Sequence, residues 1–411
     1  MQRCSMIFLI RKTDYMRTDR IISLILTCAA LVSCAVDRQV PPRAADADGK
    51  SVYANYDFYA EVTDVPVPQG YKPFYITHYG RHGARHINRE WEYDAVAKVL
   101  GEASLTSFGQ EIKAEFDRIY THVKGRATDL TLLGREQHRH LARRMYEAWP
   151  EVFRGRCNVE AASSDIPRCI LSMNEFLSSL KGCKSSISTF ADVNSALVPV
   201  LKKKPLVRID ADAKFYERFD VDALYDRLFT DIGVAKSLYS VPDFVRSIYY
   251  FGTHLECVGF DDTVMRSVFT DGEAAVMSSL DDYKFSHHCG WGIPANVASS
   301  WPLLEHFVTM ADRDIASGET DVRLRFGHDN TLLPLMALIK VGMFAGESLD
   351  SDYVPMAANL RWIFARNRSG NVIMKVQYNE SDVTPWTPWE EYREFCLKQI
   401  EWAKSLLESG K

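Results

Sequence analysis

Three times along this chain a short β-rich run ends in a loop of charged residues and hands over to a helical stretch, and that recurrence constrains the fold most. Lys72 to Tyr79 contains Phe74, Tyr75, Ile76 and Tyr79 and stops at Gly80, the pattern of a buried strand feeding a turn. The turn carries Arg81-His82-Gly83-Ala84-Arg85. Trp91 to Val152 reads as helical, and within Leu132 to Glu151 the residues Leu133, Leu141, Met145 and Trp149 recur at helical spacing. His138 and His140 sit there among Arg and Glu, which predicts a solvated face for both. Asn158 to Ser164 reads as a second strand, and Ser164-Asp165-Ile166-Pro167-Arg168 as a loop before a helix from about Ser172 to Leu180. Asp321 to Phe326 is the third such strand, ending at Gly327-His328-Asp329-Asn330 before a helix over Thr331 to Val341. Asn371 to Tyr378 is a later strand, and Thr387-Pro388-Trp389-Glu390 opens a final amphipathic helix with a Thr cap, Pro in the first turn and Glu at the third position. This alternation predicts an α/β fold, a mostly parallel sheet flanked by helices.

Between about Cys183 and Pro302 the character changes to irregular and helical segments rich in aromatics, such as Phe215 to Phe229 and Phe244 to Tyr250. We read 183–302 as a largely helical inserted subdomain, with the α/β core over 51–182 and 303–411. The N-terminus reads as an address: the apolar run Ile21 to Cys34 follows Arg17 and Arg20 and is too short to span a membrane as a stable helix. Leu31-Val32-Ser33-Cys34 resembles a bacterial lipoprotein cleavage site, so 1–33 is expected to be a signal peptide and Cys34 the lipidated first residue. Residues 34–50, polar and rich in Pro and Ala, suit a tether. An exported lipoprotein of the cell envelope, held to the membrane by that lipid alone and facing the periplasm or the outer surface, is the expectation.

The three strand-to-helix loops place Arg81, His82, Arg85, Arg168, His328 and Asp329 where open α/β sheets bind ligands, at the carboxyl edge. Guanidinium forks suit phosphate oxygens bidentately, and three of them can offset a dianion. A histidine among them would have its pKa lowered by the neighbouring charge, which keeps His82 neutral and nucleophilic at mildly acidic pH. Attack on phosphorus would give a phosphohistidine, and Asp329 at a strand end is placed to protonate the leaving alkoxide.

These residues resemble the histidine acid phosphatases, the branch that includes phytases and multiple inositol polyphosphate phosphatases. The family's RHGxRxP motif appears as Arg81-His82-Gly83-Ala84-Arg85-His86-Ile87, its later His-Asp motif as His328-Asp329, and its intervening arginine loop as Ser164 to Arg168. With the Thr131-Leu132-Leu133-Gly134 helix start and the helical insertion, the resemblance covers most of the chain from about Ser51 onward. It implies His82 as nucleophile, Arg81, Arg85, Arg168 and His328 as phosphate ligands, and Asp329 as acid. The implied substrates are inositol polyphosphates, phytate or other small organic phosphates, with no cofactor. Two positions depart from the pattern. Ile87 stands where the motif has proline, and His328-Asp329 stands where inositol polyphosphate phosphatases often carry His-Ala-Glu, which looks more like the phytases and general acid phosphatases.

Composition limits the partners in two ways. The formal charge is −5 and the leader is basic, so the remainder is more acidic still and has no global attraction for nucleic acid; an anionic substrate must be drawn by a local cluster. Of nine cysteines, Cys157, Cys169, Cys183, Cys257, Cys289 and Cys396 follow the leader, in a compartment where disulfides can form. His254 with Cys257, and His287-His288-Cys289, lack the paired spacing of structural zinc modules, so no metal is expected. Two other readings compete: a phosphoglycerate-mutase-like phosphotransferase, disfavoured by the export signal, and a non-catalytic ligand-binding lipoprotein, which would need no proton donor.

Overall fold

The computed structural model describes residues 64–209, 215, 217–260, 263–341 and 354–410. The expected signal peptide over 1–33, the lipidation residue Cys34 and the tether over 34–50 lie outside the described residues. Eight strands among the described residues form one mixed sheet. They are β1 (Tyr71–Arg81), β2 (Cys157–Ser163), β3 (Ile187–Asp192), β4 (Val322–Gly327), β5 (Asn359–Asn367), β6 (Val372–Tyr378), β7 (Ser381–Asp382) and β8 (Thr387–Pro388). Their order is β3-β2-β4-β1-β5-β6-β7, with β8 beside β6. The half from β3 to β1 is parallel, and β5 to β8 add antiparallel strands.

The principal helices are α1 (Glu90–Glu102), α2 (Ser107–Val123), α3 (Leu132–Ala148), α4 (Pro167–Cys183), α5 (Val241–Thr253), α6 (Asp271–Cys289), α7 (Trp301–Ser317), α8 (Asp329–Leu338) and α9 (Trp389–Glu408). The strand period of two sends alternate side chains to opposite faces. Ile76, Leu324, Phe326 and Ile363 therefore meet Leu141 and Met145 of α3 and Phe176 of α4 on one face. Tyr75, Tyr79, Leu360 and Trp362 meet Phe307 of α7, Leu332 of α8 and Tyr392 of α9 on the other. A separate core joins Val96 of α1 and Phe116 of α2 to Phe244 and Ile248 of α5, so these two early helices pack with the inserted segment. Under α7, Asp314 accepts from Arg323 Nε at 2.6 Å and from Tyr75 Oη at 2.8 Å, which satisfies a buried charge from two sides.

Several expectations need correction. β3 pairs with β2, so the sheet continues past Cys183 and the insertion expected over 183–302 starts beyond Asp192. The second loop is shorter than expected, because α4 begins at Pro167 and Arg168 lies in its first turn; proline's fixed φ suits that position. Thr387 does not cap α9. It pairs with Met374 as part of β8, and its hydroxyl donates to the Pro385 carbonyl at 3.2 Å. His138, expected on a solvated face, is fully buried against Phe326, whereas His140 is half-buried. The six cysteines named above are free thiols.

Candidate active site

Because β1, β2 and β4 run parallel, their carboxyl ends emerge on one edge of the sheet, and the three loops read from the sequence meet there. The loop after β1 is pinned by backbone bonds: Arg81 N–H donates to Ala358 O at 2.8 Å, His82 N–H to Gly327 O at 3.0 Å, and Ala357 N–H to His82 O at 2.9 Å. A close approach fixes its far side. A Cβ on Gly83 would lie 2.3 Å from the Gly134 carbonyl oxygen, so loop and α3 touch backbone to backbone. Ala84 N–H donates to Gln137 Oε1 at 2.8 Å, and Thr131, which caps α3, donates its hydroxyl to Ala84 O at 3.0 Å.

His82 is buried, and its Nδ1 lies 2.9 Å from Gly83 O. A carbonyl only accepts, so Nδ1 carries the ring proton of neutral His82 and Nε2 keeps its lone pair. Burial, then the charges of Arg168, Arg81 and Arg85, hold the imidazole well below its usual range, which keeps it neutral. Its ring stands edge-on to that of His328, with centroids 5.6 Å apart. Burial followed by Arg168 brings His328 down to about 3. Tyr79 holds the His328 backbone in place, accepting from its N–H at 2.9 Å, and Gly327 has no room for a side chain beneath that hydroxyl.

Asp329 opens α8, and its Oδ2 pairs with Arg81 Nη2 at 2.6 Å. Burial raises its carboxyl pKa, but Arg81, His328 and the Asn330 N–H that donates to Oδ1 at 2.7 Å together leave it below the ordinary value. Arg81 also donates to Val354 O, and Arg85 to His86 O at 2.7 Å. Arg168 Nε is buried and makes no hydrogen bond among the described residues. A buried guanidinium nitrogen without a partner is costly unless an anion completes it. All six residues expected at the site thus lie together at this edge of the sheet.

Three further groups border it that the sequence reading did not assign to the site. Ser164 and Cys169 lie against the His328 ring. His254, at the C-terminal end of α5, is buried and brought to about 3 by burial and by Arg85. Lys202 and Lys203 follow Leu201, whose carbonyl accepts from Tyr79 and Thr331 beside the site. Lys202 pairs with Asp165 at 3.0 Å, and half-buried Lys203 is pushed down to about 8 by burial. The run Lys202-Lys203-Lys204 was the available signal, hidden within a stretch read as insertion.

Each histidine weighed for zinc bonds a backbone group through one ring nitrogen: His287 Nδ1 bonds to Tyr283 O at 2.7 Å, His288 Nε2 accepts from Ile209 N–H at 3.1 Å, and His254 Nδ1 bonds to Tyr250 O at 2.8 Å. Among the described residues no group of three or more His, Cys, Asp or Glu is placed to hold a metal ion.

No family model matches the chain. Multiple inositol polyphosphate phosphatase 1 of Gallus gallus is 25% identical over 263 residues, 58% of this chain and 56% of that protein. The match therefore spans little more than half the length of that relative. Among solved structures, the multiple inositol polyphosphate phosphatase of Bifidobacterium longum, crystallised with inositol hexasulfate, aligns with a TM-score of 0.67 at 17% identity, covering 82% of this chain and 92% of that one. The phytase from D. castellii aligns with a TM-score of 0.60 at 13% identity, covering 85% and 84%. This chain has the fold of those proteins.

Proposed function

We propose that the protein is a phosphomonoester hydrolase that works through a phosphohistidine on His82, with inositol polyphosphates, phytate or similar small organic phosphates as substrates. The observation that carries this reading is a neutral buried histidine, its Nε2 lone pair unclaimed by Gly83, set among Arg81, Arg85 and Arg168, the last with an uncompleted Nε. The guanidinium groups and His328 would hold the phosphoryl oxygens. Nε2 attacks phosphorus while the bond to the alcohol oxygen breaks, and the Asp329 proton goes to that oxygen. Water then attacks the phosphohistidine, gives its proton to the Asp329 carboxylate, and releases phosphate with His82 neutral again. Fixed cations supply the charge compensation, so no cofactor enters the scheme. The lysine run beside the site favours substrates with more than one phosphate, as does the likeness to a phosphatase crystallised with inositol hexasulfate.

Export as a lipoprotein anchored through Cys34 belongs to the same proposal and rests on the Leu31-Val32-Ser33-Cys34 pattern. Membrane fractionation of Cys34→Ala against the parent protein tests it, and unchanged fractionation would count against the anchor. For the chemistry, rapid quenching of a turnover mixture without acid should trap phosphate on His82, and His82→Ala should lose nearly all hydrolysis of inositol hexakisphosphate and of p-nitrophenyl phosphate. A substantial residual rate in that variant would rule the mechanism out.

A further inference from the structure

We infer that Ser164 is a positioning residue that decides which nitrogen of His328 carries the proton, an inference that rests on the phosphatase reading above. Ser164 follows β2, is fully buried, and donates its backbone N–H to Phe326 O at 3.0 Å, which fixes it beside the end of β4. Its Oγ lies 3.2 Å from His328 Nε2. Cys169 Sγ approaches the same nitrogen to 3.6 Å and lies 3.3 Å from Gly327 O.

Acceptor strength decides where the protons in this group go. The Gly327 carbonyl only accepts, so it takes the thiol proton of Cys169. The Ser164 hydroxyl can then donate to Cys169 Sγ or to His328 Nε2, and because the imidazole lone pair is the stronger acceptor its proton goes to Nε2. A neutral imidazole bonded in this way keeps its own proton on Nδ1, which becomes the ring's remaining donor. With Arg168 and Arg81 nearby His328 stays neutral through the mildly acidic range, so it has one N–H to offer. A phosphate oxygen needs that N–H, and the opposite tautomer would present a lone pair instead. Ser164 thus does for His328 what the Gly83 carbonyl does for His82, with the proton on the same ring position in both.

Nitrogen-15 NMR of the full chain labelled at histidine reads the tautomer directly, with the His328 signal assigned by its loss in His328→Asn. The expected result is an Nδ1–H ring in the parent protein. Ser164→Ala should shift the ring toward the Nε2–H form and lower kcat/KM by about tenfold, the scale of one neutral hydrogen bond. Ser164→Thr, which keeps the hydroxyl, should restore both, and Cys169→Ala should leave the tautomer alone. An Nε2–H ring in the parent protein would overturn the inference, as would a Ser164→Ala variant unchanged in both tautomer and rate. The NMR signal needs no turnover, so this outcome is distinct from failure of the phosphatase reading, which His82→Ala decides. Should Ser164→Ala fail to fold, the tautomer of the parent protein still decides between the two ring forms.

Discussion

Asp329 and Arg81 are bonded to each other, and that pair governs how the carboxyl would serve as an acid in the proposed reaction. Its lowered pKa means an ionised side chain at mildly acidic pH. A phosphate dianion reverses the sign, since two negative charges beside the carboxyl favour its protonated form and draw Arg81 partly away from it. Activity should therefore fall as pH rises through the carboxyl's pKa in the substrate complex. Asp329→Asn keeps the shape without the proton, so alkyl phosphates should slow by roughly 10²-fold while p-nitrophenyl phosphate, with its good leaving group, slows far less. Equal losses on both substrates, in side-by-side kcat measurements, would make Asp329 a positioning residue. Residues of this kind were legible because their motifs sit at strand ends. His138 was not, since Arg and Glu surround it in sequence while the helix turns it toward Phe326 on the face that also carries Leu141 and Met145. Ser164 was legible as part of a loop, but its contact with His328 joins residues 164 positions apart.

Elements rather than side chains set the shape of the pocket floor, and the contact between Gly83 and Gly134 is the clearest case. Gly83→Ala would drive a methyl group into the α3 backbone, where no side chain can swing aside. We expect a loss of about 1–3 kcal/mol, read as a lower urea midpoint, with a fall in activity as the loop shifts. Gly101→Ala is the control: a Cβ there meets nothing, and α1 should gain up to about 1 kcal/mol from alanine's helix propensity. A Gly83→Ala protein as stable as its parent would show that loop and helix can separate cheaply. The strands β1, β2 and β4 were readable because each is a short β-rich segment closed by Gly or Ser and a charged loop that hands over to a helix. β3 was not, as only Ile187 of its residues is buried and an edge strand shows no apolar run. β5 lacks that handover to a helix, since the chain turns back from it into β6, and its buried Arg361 pairs with Glu380 at 3.2 Å.

At the scale of the whole molecule, the buried histidines tie stability to pH. His138, His254 and His328 are each held to about 3, against 6.5 for a free imidazole. Unfolding lets each bind a proton that the native state refuses, so their contribution is complete above about 6.5 and shrinks as pH falls toward the native values. The slope approaches about 1.4 kcal/mol per pH unit for each such group once the unfolded form is protonated. The urea midpoint should accordingly drop steeply between pH 7 and pH 4. A flat profile over that range would mean that these rings find partners that accept their second proton in the native state. Acid therefore has opposed effects, loading the Asp329 carboxyl in the complex while loosening the body that holds it.

The Arg81–Asp329 pair also means that the pocket supplies its own competitor. In the proposed reaction inorganic phosphate, the product, would have to displace a tethered carboxylate to reach Arg81, and the carboxylate would recapture the guanidinium as phosphate departs. Product inhibition would be weakened by this built-in rival, at the expense of some substrate affinity. Removing the rival's charge in Asp329→Asn should let phosphate bind more tightly by calorimetry, so that the variant is both a slower catalyst and a better trap for what it makes.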